Sequence, residues 1–278
     1  MDRTQKILAQ LSPSEQVGLE IGPLCNPIVT REMGRVYYVD HDSTEDLRVR
    51  YVDKPWVNID QIVDVDYIWG EKRLPELTGD RAPFDYVVAS HVIEHVPDLV
   101  GWLAEVHQIL KPGGILSLVI PDRRFCFDYF RCDTRLADVI EAYLMQAKEP
   151  SARQFFDYFV SAVAWNGNIS WAMPAVESEL ANVHSLQEAW KRTKAISRKE
   201  ATWDIHCWVF TETSFLELYE ALVRLNLIEY RIAQFYGTEG SEFFVSLEAL
   251  DLSLDTYQRR LSQFQSFLPR TGIAPSMA

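Results

Sequence analysis

Five short apolar runs, alternating with turn and helical patterns between residues 17 and 121, constrain the fold of this chain more than any other feature. They occupy residues 17–21, 36–39, 62–65, 84–89 and 115–120. Several are apolar almost throughout, as strands covered on both faces must be, so the pattern predicts βαβ units around a mostly parallel sheet with helices on both faces. A helix is predicted from Asp98 to Leu110. There Leu99, Trp102, Leu103, Val106, Ile109 and Leu110 share one face, and Lys111-Pro112-Gly113-Gly114 stops the helix before the next strand.

From Phe125 to about Ala201 the strand signal disappears. Residues 134–148 and 178–199 read as helices, with a turn at Asn166-Gly167-Asn168. Strand pattern returns at 208–210. A helix follows over 211–225, then strands at 228–235 and 243–248 that form an antiparallel hairpin about Gly237-Thr238-Glu239-Gly240. Residues 1–124 and 205–278 therefore read as one α/β domain and 125–204 as an inserted helical cap. The tail after Thr256 is expected to be a short helix and then a loose end.

The 278 residues carry a net charge of -13, which argues against a nucleic-acid surface, since phosphates are bound by clustered Lys and Arg. Local basic patches remain at Arg123-Arg124 and at Lys191, Arg192, Lys194, Arg198 and Lys199. Cys25, Cys126, Cys132 and Cys207 are scattered, as reduced thiols of a cytoplasmic protein would be. The N-terminus lacks a signal-peptide pattern, and no apolar run approaches membrane-spanning length.

In an open α/β sheet, ligands bind beyond the carboxyl ends of the strands near the switch point. Glu20-Ile21-Gly22-Pro23-Leu24-Cys25-Asn26-Pro27 closes the first strand. Gly22 permits close backbone approach, and Asn26-Pro27 offers the cap and first-turn proline of a following helix. The second strand ends Asp40-His41-Asp42, with Asp40 18 residues beyond Gly22, near the spacing of a ribose-binding carboxylate. The third ends Asp66-Tyr67 and the fourth Ser90-His91. Each piece alone is an ordinary turn or cap; their order at four successive strand ends is what carries weight.

Glu20-Ile21-Gly22, Asp40, Asp66, the run from Phe84 through Ser90-His91-Val92-Ile93-Glu94-His95-Val96, and Leu110-Lys111-Pro112-Gly113-Gly114 together resemble the successive motifs of class I S-adenosylmethionine-dependent methyltransferases. The resemblance covers residues 15–122, and 208–249 resemble the family's closing elements. It implies a Rossmann-like fold and S-adenosylmethionine as cofactor. It also implies a cofactor site of Glu20, Gly22, Pro23 and Asn26 beside the amino-acid moiety, Asp40 and His41 at the ribose, Asp66 (or Asp64) and the Tyr67 backbone at adenine, and Ser90 and His91 on the methionine side. The family carries Gly where this chain has Leu24 and Asn26. Whole-chain similarity, including Asp204-Ile205-His206-Cys207-Trp208, looks like methyltransferases of bacterial surface-polysaccharide assembly.

Methyl transfer to a hydroxyl needs alignment and proton removal, so histidines near the site are the candidate bases. His206 leads, with Asp204 two residues away on one face of an extended segment as its partner; His184 and His91 follow. Each has the plain alternative of a structural hydrogen bond. Asp122, Arg123 and Arg124 are expected on the substrate side, where the arginines either hold an anionic acceptor or cap a helix start. Trp165 and Trp203 suit the apolar faces of a sugar, although most aromatics of the insertion read as core. His91-x-x-Glu94-His95 matches the letters of a metallopeptidase pattern, but its place after a strand argues against that chemistry. No metal is expected. The alternative is a divalent ion at His91, Glu94 and His95, implied by resemblance to ubiquinone-pathway O-methyltransferases, which carry Glu where His91 stands.

The leading expectation is a cytoplasmic O-methyltransferase of a small-molecule or glycan acceptor. N-methylation, or a cofactor-binding scaffold without turnover, are the alternatives. A nicotinamide-dependent oxidoreductase is disfavoured, because the full G-x-G-x-x-G is absent. Oligomeric state is not legible.

Overall fold

The computed structural model describes residues 1–271. The chain opens with helix α1 (Arg3–Ile7), strands β1 (Val17–Ile21) and β2 (Arg35–Asp40), helix α2 (Thr44–Tyr51), strand β3 (Tyr67–Ile68) and helix α3 (Leu74–Thr78). Strand β4 (Phe84–Ser90), helix α4 (Leu99–Ile109) and strand β5 (Leu110–Pro121) complete the parallel half. Then come α5 (Leu136–Met145), α6 (Ala152–Ser161), β6 (Val163–Trp165), β7 (Leu180–Asn182) and α7 (Leu186–Ser197). Helix α8 (Glu212–Arg224), strands β8 (Tyr230–Glu239) and β9 (Glu242–Ala249) and helix α9 (Thr256–Thr271) close the described chain.

Seven strands form one sheet in the order β3-β2-β1-β4-β5-β9-β8. β1 to β5 run parallel, and β9 runs antiparallel to both β5 and β8. This is a Rossmann-like methyltransferase topology, a mostly parallel sheet closed by an antiparallel pair. Alternation along the strands explains why it is buried on both sides. Val87 and Ala89 of β4, with Leu116, Leu118 and Ile120 of β5, face the cluster built on α4 and α8. Tyr86, Val88, Ile115 and Val119 face the opposite cluster, which includes Ile7 of α1. Asp98 caps α4 by accepting from the Gly101 amide at 2.8 Å, and the six apolar residues expected on one face of this segment are buried.

Several local expectations are corrected. No helix follows Asn26-Pro27: residues 22–34 are turns and bends. Glu20 takes up the amides of Ile28 and Val29, at 2.7 and 3.0 Å, holding that stretch in a loop. Residues 62–65 are not a strand, because the Thr44 hydroxyl accepts from the Val65 amide and donates to the Val63 carbonyl, diverting this segment from β2. Pairing with β2 starts only at Tyr67. Residues 208–210 form no strand either; the Cys207 and Trp208 amides both donate to the Glu94 carbonyl, and only Phe210 makes an isolated bridge, to Asp122. The segment between β5 and α8 holds helices, as expected, and also the antiparallel pair β6–β7. The closing strands extend through the expected turn, to Glu239 and from Glu242. The predicted helix after Thr256 is α9; the loose end expected beyond it lies outside the described residues.

Candidate active site

Ile21 of β1 pairs with Val39 of β2 on one side and Ala89 of β4 on the other, so Gly22, Asp40 and Ser90 leave the sheet at one level. This is the point where the strand order reverses, and hence where an open α/β sheet leaves its crevice. Gly22 has φ of +69°, and its amide donates to Val39 O at 2.8 Å. Leu24, at a position where the resembling family has Gly, is itself left-handed at φ +45°, and it packs partly buried against Cys25, Leu47, Val57 and Ile62. Asn26 is tied into the same loop by its amide to Pro23 O at 2.9 Å.

Asp40 is 4% exposed. Its Oδ1 accepts from the His41 amide at 2.8 Å and lies 2.7 Å from His41 Nδ1, which raises the imidazole pKa despite partial burial. Its Oδ2 is buried and receives no hydrogen bond. A buried acceptor at a strand end, beside a glycine that lets a ligand approach the backbone, fits a cofactor ribose, whose hydroxyls supply the missing donors.

Two cofactor residues read from the sequence sit differently. Both carboxylate oxygens of Glu20 serve the loop amides. Burial overrides those two hydrogen bonds and pushes its pKa up to about 7, so Glu20 shapes the loop from below. Asp66 does not end a strand. It precedes β3, its amide donates to Tyr38 O, and its Oδ2 accepts from the Tyr38 amide at 2.8 Å and from Arg31 at 3.0 Å. It sits beside Tyr38, two residues before the level of Asp40. Asp64 offers its carbonyl to Arg31. The Tyr67 ring lies against Tyr37 and under Arg81. Ile68 and Trp69 stand level with Asp40 instead: Ile68 is its sheet partner, and the Trp69 amide donates to Asp40 O at 2.6 Å. The two-residue length of β3 hid them.

Beyond β4 the chain makes a cluster of charge. Ser90 accepts from Arg3 at 2.9 Å, and Arg3 also reaches Glu242 of β9. His91 is left-handed at φ +55°; its Nε2 lies 2.7 Å from Glu242 and its Nδ1 3.4 Å from Glu94. Burial lowers its pKa, but the two carboxylates prevail and take it to about 9. The Glu242 and Glu94 carboxylates thus hold His91 toward its protonated form.

Glu94 is completely buried, and neither of its oxygens receives a hydrogen bond. Its Oε1 lies 4.0 Å from His95 Nε2 and 3.9 Å from His206 Nε2. His206 is brought there by backbone: the Cys207 and Trp208 amides donate to Glu94 O, and the Trp208 indole donates to Val96 O at 2.6 Å. The carboxylate bound to His206 is Asp128, at 2.5 Å from Nδ1, and not Asp204. Asp204 pairs instead with His95 Nδ1 at 2.8 Å. Asp128 and its other partner, Arg131, are nearly inaccessible; Arg131 donates to Asp128 Oδ1, to His206 O and to Asp157. Burial raises the Asp128 pKa, but His206 and Arg131 outweigh it and hold the carboxyl low. Asp128-x-x-Arg131 was the readable trace of this network, an acid and a base three apart soon after β5, but nothing in the sequence tied it to residue 206.

The substrate-side candidates are largely engaged within the chain. Asp122 is buried and accepts from Arg124 Nε at 2.9 Å and from Thr238 at 2.7 Å. Arg123 donates to Asp133 and to Tyr129 O. Both arginines are ion-paired within the chain. Trp165 donates to Glu179 and packs on Trp171. Trp203 is 43% exposed, with Arg192 4.3 Å over its ring and Phe159 at its edge. His184 packs on Phe159 and Tyr158, with Glu188 3.7 Å from Nδ1. Phe127 stands 4.6 Å from the His206 ring and was counted as core in the sequence. No described helix is long and apolar enough to cross a membrane.

Among solved structures, the chain is similar to an S-adenosylmethionine-dependent methyltransferase of Methanosarcina mazei, at 16% identity over 88% of this chain and 97% of that one, with a TM-score of 0.41. It is also similar to the 1,6-didemethyltoxoflavin-N1-methyltransferase of Burkholderia thailandensis, solved with S-adenosylhomocysteine, at 14% identity over 89% and 76%, TM-score 0.42. Its match to the CcbJ methyltransferase of Streptomyces caelestis has 14% identity and a TM-score of 0.31, and covers 45% of this chain and about half, 55%, of that one. No curated protein matches the sequence. The family model described as a methyltransferase domain matches residues 6–222, and the chain belongs to that family of S-adenosylmethionine-dependent methyltransferases.

Proposed function

We propose that the chain methylates a hydroxyl of a small polar acceptor, such as a sugar or glycan end, at the Glu94, His95 and His206 cluster. The observation that carries this reading is His206 itself: its Nδ1 is held by Asp128, and its Nε2 is left facing the cluster. A ring fixed through one nitrogen by a carboxylate presents the other in a defined direction, as a proton-handling imidazole requires.

The cofactor supplies an electrophilic methyl on a sulfonium. Asp40 Oδ2 would accept from the ribose hydroxyls, Gly22 and the loop to Asn26 would pass under the amino-acid end, and Ile68 and Trp69 would border the adenine. On transfer, an oxygen–carbon bond forms as the sulfur–carbon bond breaks, its electron pair returns to sulfur, and the hydroxyl proton leaves at the cluster. The protein would align the two partners, which by itself can supply much of the rate. Trp203, exposed and next to Asp204, offers a face for the apolar side of a sugar ring. The acidic net charge supports a small-molecule partner over a nucleic acid.

The test is a screen of nucleotide sugars and lipid-linked glycans with labelled S-adenosylmethionine, read by the mass of the product. A methylated sugar hydroxyl is expected, with turnover lost in His206→Ala and kept in His184→Ala. Methylation of nitrogen acceptors only, or full turnover in His206→Ala, overturns the reading.

A further inference from the structure

We infer that Glu94, His95 and His206 form a binding site for one divalent transition-metal ion of the zinc class. Their ligand atoms lie within 4.8 Å of one another. The inference rests on the reading of this cluster as the place where the acceptor loses its proton; with its Nε2 on an ion, His206 would act there as a ligand and not as the proton acceptor.

The separations are what point to an ion. A carboxylate bonded directly to an imidazole N–H sits at about 2.7–2.9 Å. Glu94 Oε1 is instead 3.9 Å from His206 Nε2 and 4.0 Å from His95 Nε2, too far for a hydrogen bond to either. Zinc bonds to nitrogen and carboxylate oxygen run about 2.0–2.2 Å, which sets neighbouring ligand atoms about 3.4 Å apart in a tetrahedral site. The two carboxylate–imidazole separations exceed that spacing by roughly half an ångström, and all three ligand atoms lie within 4.8 Å of one another. Glu94 is wholly buried and neither of its oxygens receives a hydrogen bond; His91 Nδ1 stands 3.4 Å from Oε1, which also faces the two Nε2 atoms.

The outer contacts agree. His95 Nδ1 is bound by Asp204 and His206 Nδ1 by Asp128, so in each ring one nitrogen is held by a carboxylate while Nε2 faces Glu94. That carboxylate–imidazole arrangement orients histidines around a metal. Arg131 holds Asp128 in turn. His91 is outside the set, because Glu242 takes its Nε2. The ligand set therefore depends on residue 206, brought in from 112 positions along the chain by backbone hydrogen bonds, and not on the short local triplet. Two imidazoles and one carboxylate leave a fourth position open, as catalytic zinc sites do, and an ion there would acidify a hydroxyl so that its proton passes to solvent.

The test uses the full chain, stripped with EDTA and dialysed, then titrated with Zn²⁺ against a chromophoric chelator and with Co²⁺ for its visible bands. One Zn²⁺ per chain is expected, with Co²⁺ bands of low coordination number. Glu94→Gln should weaken uptake at least tenfold, Asp204→Asn about tenfold, and Cys132→Ser not at all. S-adenosylhomocysteine binding is measured by calorimetry on the same metal-free protein, since the proposed cofactor residues Asp40 and Gly22 lie outside the cluster. If the cofactor product binds but Zn²⁺ does not, the metal site is overturned and the methyltransferase reading stands. If Zn²⁺ binds and the product does not, the transfer reading falls and the metal site stands. Uptake unchanged in folded Glu94→Gln overturns the site; should that variant not fold, the exposed Asp204→Asn decides in the same way.

Discussion

Asp40 Oδ2 and the Glu94 carboxylate are both buried acceptors without a donor, yet they differ in what would satisfy them. Asp40 stands where the backbone comes closest to a ligand, and hydroxyl donors meet its need. Hydrogen bonds to charged groups contribute about 1.5–3 kcal/mol, so Asp40→Ala should weaken S-adenosylhomocysteine binding about 10–100-fold by calorimetry, with no loss of thermal stability. Glu20 behaves in the opposite sense, since its oxygens are fully used inside the loop. Its folded pKa of about 7 lies above the ordinary 4.5, so the folded state holds a proton that the unfolded chain releases between those values. The stability this confers is fully present below about pH 4.5 and is lost as pH rises through about 7, up to about 3 kcal/mol. Glu20→Gln should flatten that part of the stability profile; denaturant unfolding of both proteins at about pH 5 and about pH 8 would show it. An unchanged slope would mean that the loop amides, and not burial, govern this carboxyl.

At the scale of elements, the segment 204–208 matters most, because it joins the inserted helices to the sheet without forming regular structure itself. Its hold is a buried set, Asp128 with His206 and Arg131, and removing one partner strands the others. Asp128→Ala should cost about 3–5 kcal/mol in chemical denaturation and lower turnover as well, whereas Glu220→Ala, on a surface pair with Arg224, should change stability by less than about 1 kcal/mol. The central strands and α4 were legible from the chain because their signals are local: apolar runs for strands buried on both faces, and a capped amphipathic stretch for the helix. β3 was misplaced because Thr44 binds the apolar residues at 63–65, leaving the short pairing at 67–68 without a pattern of its own. Asp204 was taken as the partner of His206 on the strength of nearness in sequence, whereas Asp128 lies 78 positions away and no periodicity connects the two. The order of strand-end motifs gave the cofactor side, and the proton-handling side had to wait for tertiary contacts.

Across the whole molecule, residues at opposite ends of the described chain meet over the sheet. Arg3 of α1 bridges Ser90 of β4 and Glu242 of β9, and Glu242 in turn holds His91. Arg3 is partly exposed, so its loss is mild: Arg3→Ala should raise the cofactor KM by up to about fivefold with little change in kcat, and a large fall in kcat instead would place Arg3 nearer the reacting atoms. The bridge joins positions 239 apart, a contact of the kind that closes late when a polypeptide collapses. With only the first two hundred residues made, Glu242 and His206 are both missing, so the charge cluster beyond β4 lacks two of its members until the closing segment and hairpin are in place.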